Sequence, residues 1–509
     1  DQQDEGCQLD EGDDGLQHAG QDQLGAQRRQ QPVAGLDMAQ PPVVALELAL
    51  GFDEALLDGK EYTYILDEKY RWNSWACPQR DGKLDKINAK SGDDLLLFVN
   101  GSRDSEDLGL FDYLRSFKSI NEDFKSVRYK IGAIFEFLDN RIANGHTLRE
   151  VLDLIDEMNF HSQADLFQLS LIYEKLLKDM GSDGGNSGEF YTPRPLIKMI
   201  TEVVNPQIGE TIYDPAAGSC GFLIEAYNHI RYLNDDLSKP RDLSTDQLKF
   251  LREDTFFGNE KTPLSYVMGV MNMILHGIEA PNIAKTNTLT RDIRSFEEKD
   301  RYNCILANPP FGGKEKEQIQ QNFPITSNAT ELLFLQHMMK SLKVNGRCGV
   351  VIPEGVLFQT NNAFQAVKKD LLERFNVHTI VSLPSGVFLP YSGVKTNVIF
   401  FDRNGSTSEI YYYEVNPPYK LTKNKPIQNE HFEEFLACWQ ERKPTINSWI
   451  VNVNDIKDYD ISAKNPNKTE AVTHVSPLEL VATIKQNNAQ IDELMTEIEV
   501  ILQGKAINE

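Results

Sequence analysis

The sequence predicts an α/β fold, a doubly wound and mostly parallel sheet with helices on both faces. Between residue 180 and about residue 402, short β-rich runs alternate with helical patterns. Strands that are spaced by helices tend to pair in parallel and to be covered on both sides. The six predicted strands are residues 211–213, 255–257, 304–307, 348–352, 379–383 and 397–401. Ligands of such sheets bind beyond the carboxyl ends of the strands.

The chain of 509 residues divides into four predicted segments. Residues 1–50 are rich in Gln, Asp and Gly and contain no aromatic residue, which is typical of a disordered or divergent segment. Residues 51–179 carry apolar residues at three- and four-residue spacings, which predicts an N-terminal helical domain. Residues 180–415 form the predicted sheet domain, and residues 416–509 form a C-terminal region.

The C-terminal region reads as polar and irregular after Asp402, until a final helix predicted over residues 477–503. Ile484, Ile491 and Ile498 lie seven residues apart on this helix. A narrow apolar stripe of this kind needs another helix to cover it. We therefore predict a partner-binding helix, with a helix folded back on its own domain as the alternative.

Charge and composition exclude several classes of protein. With 52 Lys and Arg against 76 Asp and Glu, the formal net charge is −24, which argues against a free-standing, non-specific nucleic-acid binder. An enzyme that acts on DNA with a basic partner stays possible. No apolar run reaches membrane-spanning length and no signal peptide is evident, so we expect a cytoplasmic protein that does not enter a membrane. The six scattered cysteines predict reduced thiols rather than disulfides or a zinc site.

Two of the predicted strands end in an acidic residue. The first strand ends at Asp214 and leads through a small-residue turn into a helix near Phe222. Glycines and a helix N-terminus allow close approach of a small acidic or zwitterionic cofactor, although such a turn also serves as a simple connection. Glu260 follows the next strand and suits hydrogen bonds from ribose hydroxyls, with a solvated loop acid as the alternative.

The strand over residues 304–307 ends abruptly in Asn308, Pro309, Pro310 and Phe311. Two prolines stop the strand and stiffen the backbone. The Asn308 side-chain oxygen and the Pro309 carbonyl are thereby fixed as acceptors for the exocyclic amine of a planar base, on which Phe311 would stack. Further upstream, Thr192 before Pro193 predicts a helix N-cap with proline at the first helical position.

These motifs together resemble one enzyme family. The pattern D-P-x-x-G-S-x-G-F-L followed by N-P-P-F, with G-E-F-Y-T-P ahead of both, is similar to that of the S-adenosylmethionine-dependent N6-adenine DNA methyltransferases, and specifically to the methylation (M) subunit of type I restriction–modification systems. The resemblance runs from about residue 60 to 402. It implies a Rossmann-like methyltransferase fold, S-adenosylmethionine as cofactor and double-stranded DNA with a flipped adenine as substrate. It also implies a complex of two M subunits with one specificity (S) subunit, to which a restriction (R) subunit is added.

The resemblance assigns roles to residues of this chain. Asn308, Pro309, Pro310 and Phe311 would form the catalytic, target-base site. One departure is Cys220, which stands where many methyltransferases have glycine. Asp292, after a strand end predicted at Leu289, would lie near the adenine of the cofactor. The full set of cofactor-binding residues would be Glu189, Phe190, Tyr191, Thr192, Pro193, Arg194, Asp214, Gly218, Ser219, Cys220, Glu260 and Asp292.

Two other functions remain open at this point. One is a methyltransferase that acts on an RNA base or a protein amide, since such enzymes also use Asn-Pro-Pro-aromatic loops. The other is a non-catalytic subunit of a DNA-binding complex. We find no metal-ligand set and no Ser-His-Asp arrangement in the sequence that would support a different chemistry.

Overall fold

The computed structural model describes residues 64–468 and part of the C-terminal helix. The gaps are residues 81–82, 86, 103–106, 120–125, 157–169, 171, 174, 176–191, 234–235, 279–280 and 391, and the described C-terminal residues are 481, 484–492 and 494–496. Residues 1–50 lie outside the described residues, as does most of the helix predicted over 477–503.

Strands and helices of the described residues are numbered here in chain order. Strands β1 to β13 are Gln79–Arg80, Lys83–Leu84, Ile212–Asp214, Tyr232–Leu233, Asp236–Pro240, Phe256–Glu260, Asn282–Lys285, Tyr302–Ala307, Leu342–Pro353, Asn376–Ser382, Thr396–Asp402, Glu409–Glu414 and Ser448–Asn452. Helices α1 to α14 are Trp72–Trp75, Gly92–Asn100, Leu110–Ser116, Val127–Phe135, Gly145–Asp156, Arg194–Val204, Gly221–Arg231, Thr245–Glu253, Pro263–Leu275, Glu317–Gln320, Thr330–Ser341, Glu354–Phe358, Asn362–Arg374 and Glu433–Cys438.

The chain forms two compact units, of which the first comprises Asp1–Asp183, Ala217–Cys220 and Asp242–Thr286. Helices α2 to α5 surround an apolar core in which the rings of Tyr70 and Tyr113 stack with their centroids 3.8 Å apart. On α5, Leu148 and Leu152 lie on one helix face and are both buried. The unit also contains the parallel pair β6 and β7. The described part of the N-terminal region is thus largely helical. The domain boundaries given from the sequence remain predictions.

The second unit comprises Gly184–Ala216, Gly221–Arg241 and Asn287–Glu509. Seven of its strands lie side by side in the order β13-β12-β10-β11-β9-β8-β3, and β4 and β5 form a separate two-stranded sheet. Strands β3, β8 and β9 are parallel, whereas β11 is antiparallel to both of its neighbours, β9 and β10. Strand β12 pairs in parallel with β10. Each of the six predicted strands coincides with an observed one, and the predicted α/β class with a mostly parallel sheet is confirmed.

The prediction of an irregular chain after Asp402 is wrong. Strand β12 carries Ile410 and three consecutive tyrosines that are buried on both faces, and β13 pairs with it. Tyrosine can occupy such a strand only if its hydroxyl finds a partner. The hydroxyl of Tyr411 donates to the Lys443 carbonyl (3.2 Å) and that of Tyr412 to the Ile461 carbonyl (3.0 Å). Both partners are distant in sequence, which is why the strand was not recognisable locally.

The described C-terminal residues 484–492 are helical, as predicted. Ile484 and Ile491 are each 56% exposed and Leu494 is 57% exposed, so no described residue covers these seam positions. The partner-binding helix and its alternative, a helix folded back on its own domain, both stay predictions. Among the described residues, no helix is long and apolar enough to span a membrane.

Candidate active site

The glycine-containing turn Ala217–Cys220 is bound to the end of β6 within the first unit. The Gly218 amide donates to Oε2 of Glu260 (2.9 Å), and the Thr262 amide donates to Oε1 of the same carboxylate (2.7 Å). The Ala217 amide donates to the Asn259 carbonyl (2.9 Å). Glu260 is only 7% exposed, so its carboxylate is both held in place and shielded from bulk solvent. The turn and the acid predicted from sequence thus form one hydrogen-bonded group.

Helix α9 packs against this turn. The buried Asn272 side chain donates from Nδ2 to the Ser219 carbonyl (2.9 Å). A Cβ atom added at Gly269 would lie 2.6 Å from the Gly218 oxygen and 2.7 Å from the Cys220 sulfur, so only glycine fits there. Cys220 is fully buried with φ of +62°, a left-handed conformation that favours glycine. The side chain of Cys220 therefore fits the available space but strains its backbone.

In the second unit, Asp214 ends β3 and is 1% exposed. Its Oδ1 accepts a hydrogen bond from the Ala216 amide (3.0 Å). The Thr288 hydroxyl donates to the Pro215 carbonyl (2.6 Å), which fixes the backbone directly after the acid. Asp214 is thus a buried carboxylate at the carboxyl end of β3, the position predicted for a cofactor contact.

Thr192 does not cap a helix, contrary to the prediction. Helix α6 begins at Arg194 with Pro193 as its N-cap residue, one position later than expected. The Thr192 hydroxyl is occupied elsewhere, because it accepts a hydrogen bond from Nδ2 of Asn308 (3.0 Å). Arg194 donates from Nη1 to the Gly221 carbonyl at the start of α7 (3.1 Å). The predicted residues Glu189, Phe190 and Tyr191 lie outside the described residues.

Asn308 directly follows β8, and its side-chain amide has a defined orientation. While Nδ2 donates to Thr192, the other end of the amide, Oδ1, is buried and has no hydrogen-bond partner among the described residues. A buried acceptor without a partner costs about 1–3 kcal/mol and calls for an explanation. Among the described residues, Asn308 Oδ1 is thus an acceptor that is still available to a donor.

The three residues after Asn308 complete the loop. Pro309 is buried and Pro310 is exposed, while the Phe311 ring meets Phe388 edge to face with centroids 5.8 Å apart. The Gly312 amide donates to the Glu331 carboxylate at the start of α11 (2.7 Å), which anchors the far end of the loop. The half-buried Phe311, in the loop that follows Asn308, thus forms an aromatic pair with the buried Phe388.

Asp292 has a different setting from the one predicted. Leu289 is not at a strand end but in the 3-10 helix Thr288–Thr290, because β7 already ends at Lys285. The Asp292 carboxylate caps the following short helix and pairs with Arg294 (2.8 Å), which holds the pKa of Asp292 below its usual value. Its proximity to a cofactor adenine stays a prediction.

Four residues that support these loops are not predicted from the sequence. Asn272 is a polar residue within the apolar helix α9, which was a usable signal, and Phe388 lies in a stretch that already resembled the family. Thr288 and Gly269 gave no local signal. Among the described residues there is no cluster of three potential metal ligands, and the five described cysteines are free thiols.

Comparisons with known proteins agree with this architecture. The family described as N-6 DNA Methylase matches residues 163–475. The EcoEI methylase subunit of a type I restriction enzyme from Escherichia coli is 34% identical over 466 residues, which cover 88% of this chain and 89% of that protein. A solved modification subunit from Vibrio vulnificus YJ016 has a TM-score of 0.73 and 36% identity, covering 85% of this chain and 92% of that one. A chain from a solved type I restriction–modification system has a TM-score of 0.70 and 41% identity, covering 91% and 92%.

The fold and the loops at its strand ends define a Rossmann-like methyltransferase. The chain belongs to the N-6 DNA methylase family. The predicted identity as a type I methylation subunit, and as an adenine-specific DNA methyltransferase, is confirmed by these relatives. The alternatives of an RNA or protein methyltransferase and of a non-catalytic subunit are not favoured.

Proposed function

We propose that this chain transfers a methyl group from S-adenosylmethionine to N6 of a flipped adenine in double-stranded DNA, with Asn308 as the residue that holds the target amine. The observation that carries the proposal is the buried Oδ1 of Asn308, an acceptor without a partner among the described residues. An exocyclic amine is a donor and fits this position. The Pro309 carbonyl would accept the second amine proton.

The target base would lie against aromatic side chains. Phe311 and Phe388 form an edge-to-face pair beside Asn308. Stacking on such rings stabilises a base that has left the duplex, and the π face of Phe311 also attracts the positive charge that develops on the amine. The loop thus provides both hydrogen-bond acceptors and stacking surface for one planar base.

The chain's own residues suit the cofactor as well. Asp214 and Glu260 are buried carboxylates at strand ends, and they would accept hydrogen bonds from the amino group and from the ribose hydroxyls respectively. The backbone of Gly218, Ser219 and Cys220 and the segment from Glu189 to Arg194 would contact the methionine part of the cofactor. Asp292 would contact the cofactor adenine.

The chemistry requires positioning rather than a covalent intermediate. S-adenosylmethionine supplies a methyl group that is already activated by its sulfonium. Asn308 and Pro309 hold the two N6 protons so that the nitrogen lone pair points at the methyl carbon. A carbon–nitrogen bond forms as the carbon–sulfur bond breaks, and the amine then loses one proton to solvent.

The proposal includes partners. One specificity subunit would join two copies of this chain and read the DNA sequence, and a restriction subunit would be added for cleavage. The net charge of −24 supports this assembly, because most phosphate contacts of the complex would then come from a more basic partner. The exposed Ile484, Ile491 and Leu494 supply an apolar helix face suited to such docking.

Labelled methyl transfer tests the proposal. The full chain, co-expressed with the specificity subunit of its own locus, is incubated with methyl-tritiated S-adenosylmethionine and with DNA, RNA or protein as acceptor. We expect label in DNA alone, and N6-methyladenine as the labelled nucleoside after digestion. Label confined to RNA or protein would overturn the proposal, as would an absence of transfer by a complex that binds the cofactor.

A further inference from the structure

A strongly basic segment follows β12. The lysine loop, defined here as residues 417–425, contains Lys420, Lys423 and Lys425 together with Tyr419. The sequence from residue 415 to 429 has no Asp or Glu, although the whole chain carries a net charge of −24. We propose that the lysine loop binds the phosphodiester backbone of the DNA strand that carries the target adenine. This inference rests on the proposed function and adds a DNA contact outside the base site.

The lysine loop lies at the same edge of the sheet as Asn308. Strand β11 is antiparallel to both β9 and β10, so β9 and β10 run in the same direction. Strand β8 is parallel to β9, and β12 is parallel to β10. The carboxyl ends of β8 and β12 therefore share one edge, where Asn308 follows β8 and the lysine loop follows β12.

The connection after β10 joins the two features physically. Its Phe388 contacts Phe311 of the candidate base site. Its Gly386 packs against the lysine loop, since a Cβ atom added at Gly386 would lie 3.2 Å from the Leu421 oxygen. A cavity of about 540 Å³ opens here, and its lining includes Ser385 and Lys420. The lysine loop is thus one short connection away from the target-base loop.

The lysine loop is held in a fixed shape. Leu421 and Ile427 are each 2% exposed and anchor it in the core. The backbones of Thr422 and Lys425 exchange two hydrogen bonds of 3.1 Å, which places Lys423 at the tip of a tight turn. The ammonium of Lys425 also lies 5.7 Å from the centroid of the Tyr419 ring. Because the backbone is already ordered, phosphate binding would cost little conformational entropy.

The charges of Lys420 and Lys425 in the lysine loop are available to a ligand. Neighbouring Lys395 and Lys468 are neutralised by Glu354 and Glu414, each at 2.7 Å. Lys420 and Lys425, by contrast, are exposed and form no ion pair with any residue of the described chain. Exposed cations of this kind gain affinity for DNA by releasing counterions from the phosphates. Their position beside the base site favours DNA over an acidic protein segment as the ligand.

Salt-dependent DNA binding tests this inference. The full chain in complex with its specificity subunit is titrated against a fluorescein-labelled 30-base-pair duplex by anisotropy, over a series of NaCl concentrations. The variant is the triple substitution Lys420→Gln, Lys423→Gln and Lys425→Gln. The matched control replaces three exposed lysines on other elements, namely Lys249→Gln, Lys299→Gln and Lys457→Gln, and so changes the net charge equally.

We expect the triple variant to reduce the magnitude of the negative slope of log K against log [NaCl] by about 2–3. Binding to cognate and non-cognate duplexes should weaken to the same extent, because phosphate contacts carry no sequence information. The control should keep the wild-type slope, and both variants should keep wild-type binding of S-adenosylmethionine. An unchanged slope in a variant that still methylates DNA would overturn this inference alone. Unchanged DNA binding with loss of the specificity subunit would show a protein ligand instead. No binding of DNA by the wild-type complex would overturn the proposed function as well.

Discussion

Thr192 accepts a hydrogen bond through Oγ1 from Nδ2 of Asn308, at 3.0 Å and across 116 residues of sequence. Through this contact, the Nδ2 end of the Asn308 amide is hydrogen-bonded within the protein. The other end, Oδ1, is buried and has no hydrogen-bond partner in the part of the chain that the structure describes. If Asn308 holds the target base as proposed, Thr192 would be a positioning residue that acts through Asn308.

Replacing Thr192 with valine tests that relationship. Thr192→Val keeps the shape but removes the acceptor, so the Asn308 amide loses its orientation, and we expect kcat to fall roughly tenfold to a hundredfold with a smaller change in KM. Thr192→Ser keeps the hydroxyl and should recover most of the activity. Steady-state methyl transfer checks both variants. Equal losses in the valine and serine variants would contradict a role for the hydroxyl.

Gly269 packs against the turn Ala217–Cys220, which we propose holds the cofactor. In Gly269→Ala the new methyl group would meet the Gly218 oxygen and the Cys220 sulfur, so the turn must move. We expect binding of S-adenosylmethionine to weaken by at least tenfold in calorimetry. Gly393→Ala is the matched control, because a Cβ atom there meets nothing within 4 Å. Wild-type affinity in Gly269→Ala would show that the turn does not hold the cofactor.

The left-handed backbone and full burial of Cys220 limit the size and branching of the side chain that this position can hold. Cys220→Gly relieves backbone strain and should keep cofactor binding close to that of the wild type. Cys220→Val places a β-branched side chain at φ of +62° in a fully buried site, and it should weaken binding at least tenfold. Calorimetric titration with S-adenosylmethionine compares the two. Equal affinity of both variants would refute the limit.

The buried His337 predicts a loss of stability in acid. Burial, together with the charge of Arg291, lowers the pKa of His337 from 6.5 to about 3. Since the unfolded chain binds a proton that the folded chain excludes, the contribution is complete above pH 6.5 and is lost as the pH falls toward 3.

We expect His337→Gln, which keeps an acceptor for the Tyr213 hydroxyl, to reduce the fall in the urea midpoint between pH 7 and pH 5. Part of the fall should remain, because burial also lowers the pKa of His378, to about 4. An unchanged pH dependence in the variant would mean that His337 titrates normally in the folded protein.

Local sequence patterns were sufficient for six strands of the sheet and for the loops that follow β3, β6 and β8. The strand before Asn308 is an apolar run closed by two prolines, and this pattern depends on neighbours alone. The strand containing Tyr411 and Tyr412 was missed, because its hydroxyls are satisfied by carbonyls that lie 32 and 49 residues away. A strand defined by such distant partners has no local signature.

The candidate site was predictable to a similar extent. Asn308, Asp214 and Glu260 were identified from their positions after strands, but the roles given to them stay predictions. Thr192 was singled out from the sequence, but its predicted role as a helix N-cap is wrong. Its hydroxyl instead accepts a hydrogen bond from Asn308, which is 116 residues away. Sequence reasoning finds residues that the chain places at strand ends, and it misses the contacts that orient them.

The central claim is that Asn308 Oδ1 holds the amine that receives the methyl group. Single-turnover methyl transfer to cognate DNA, measured on the complex with bound S-adenosylmethionine, tests it most directly. We predict a fall of roughly 100-fold or more in Asn308→Ala with cofactor affinity unchanged, and a smaller fall in Asn308→Asp, which keeps an acceptor oxygen. A wild-type transfer rate in Asn308→Ala would contradict the account.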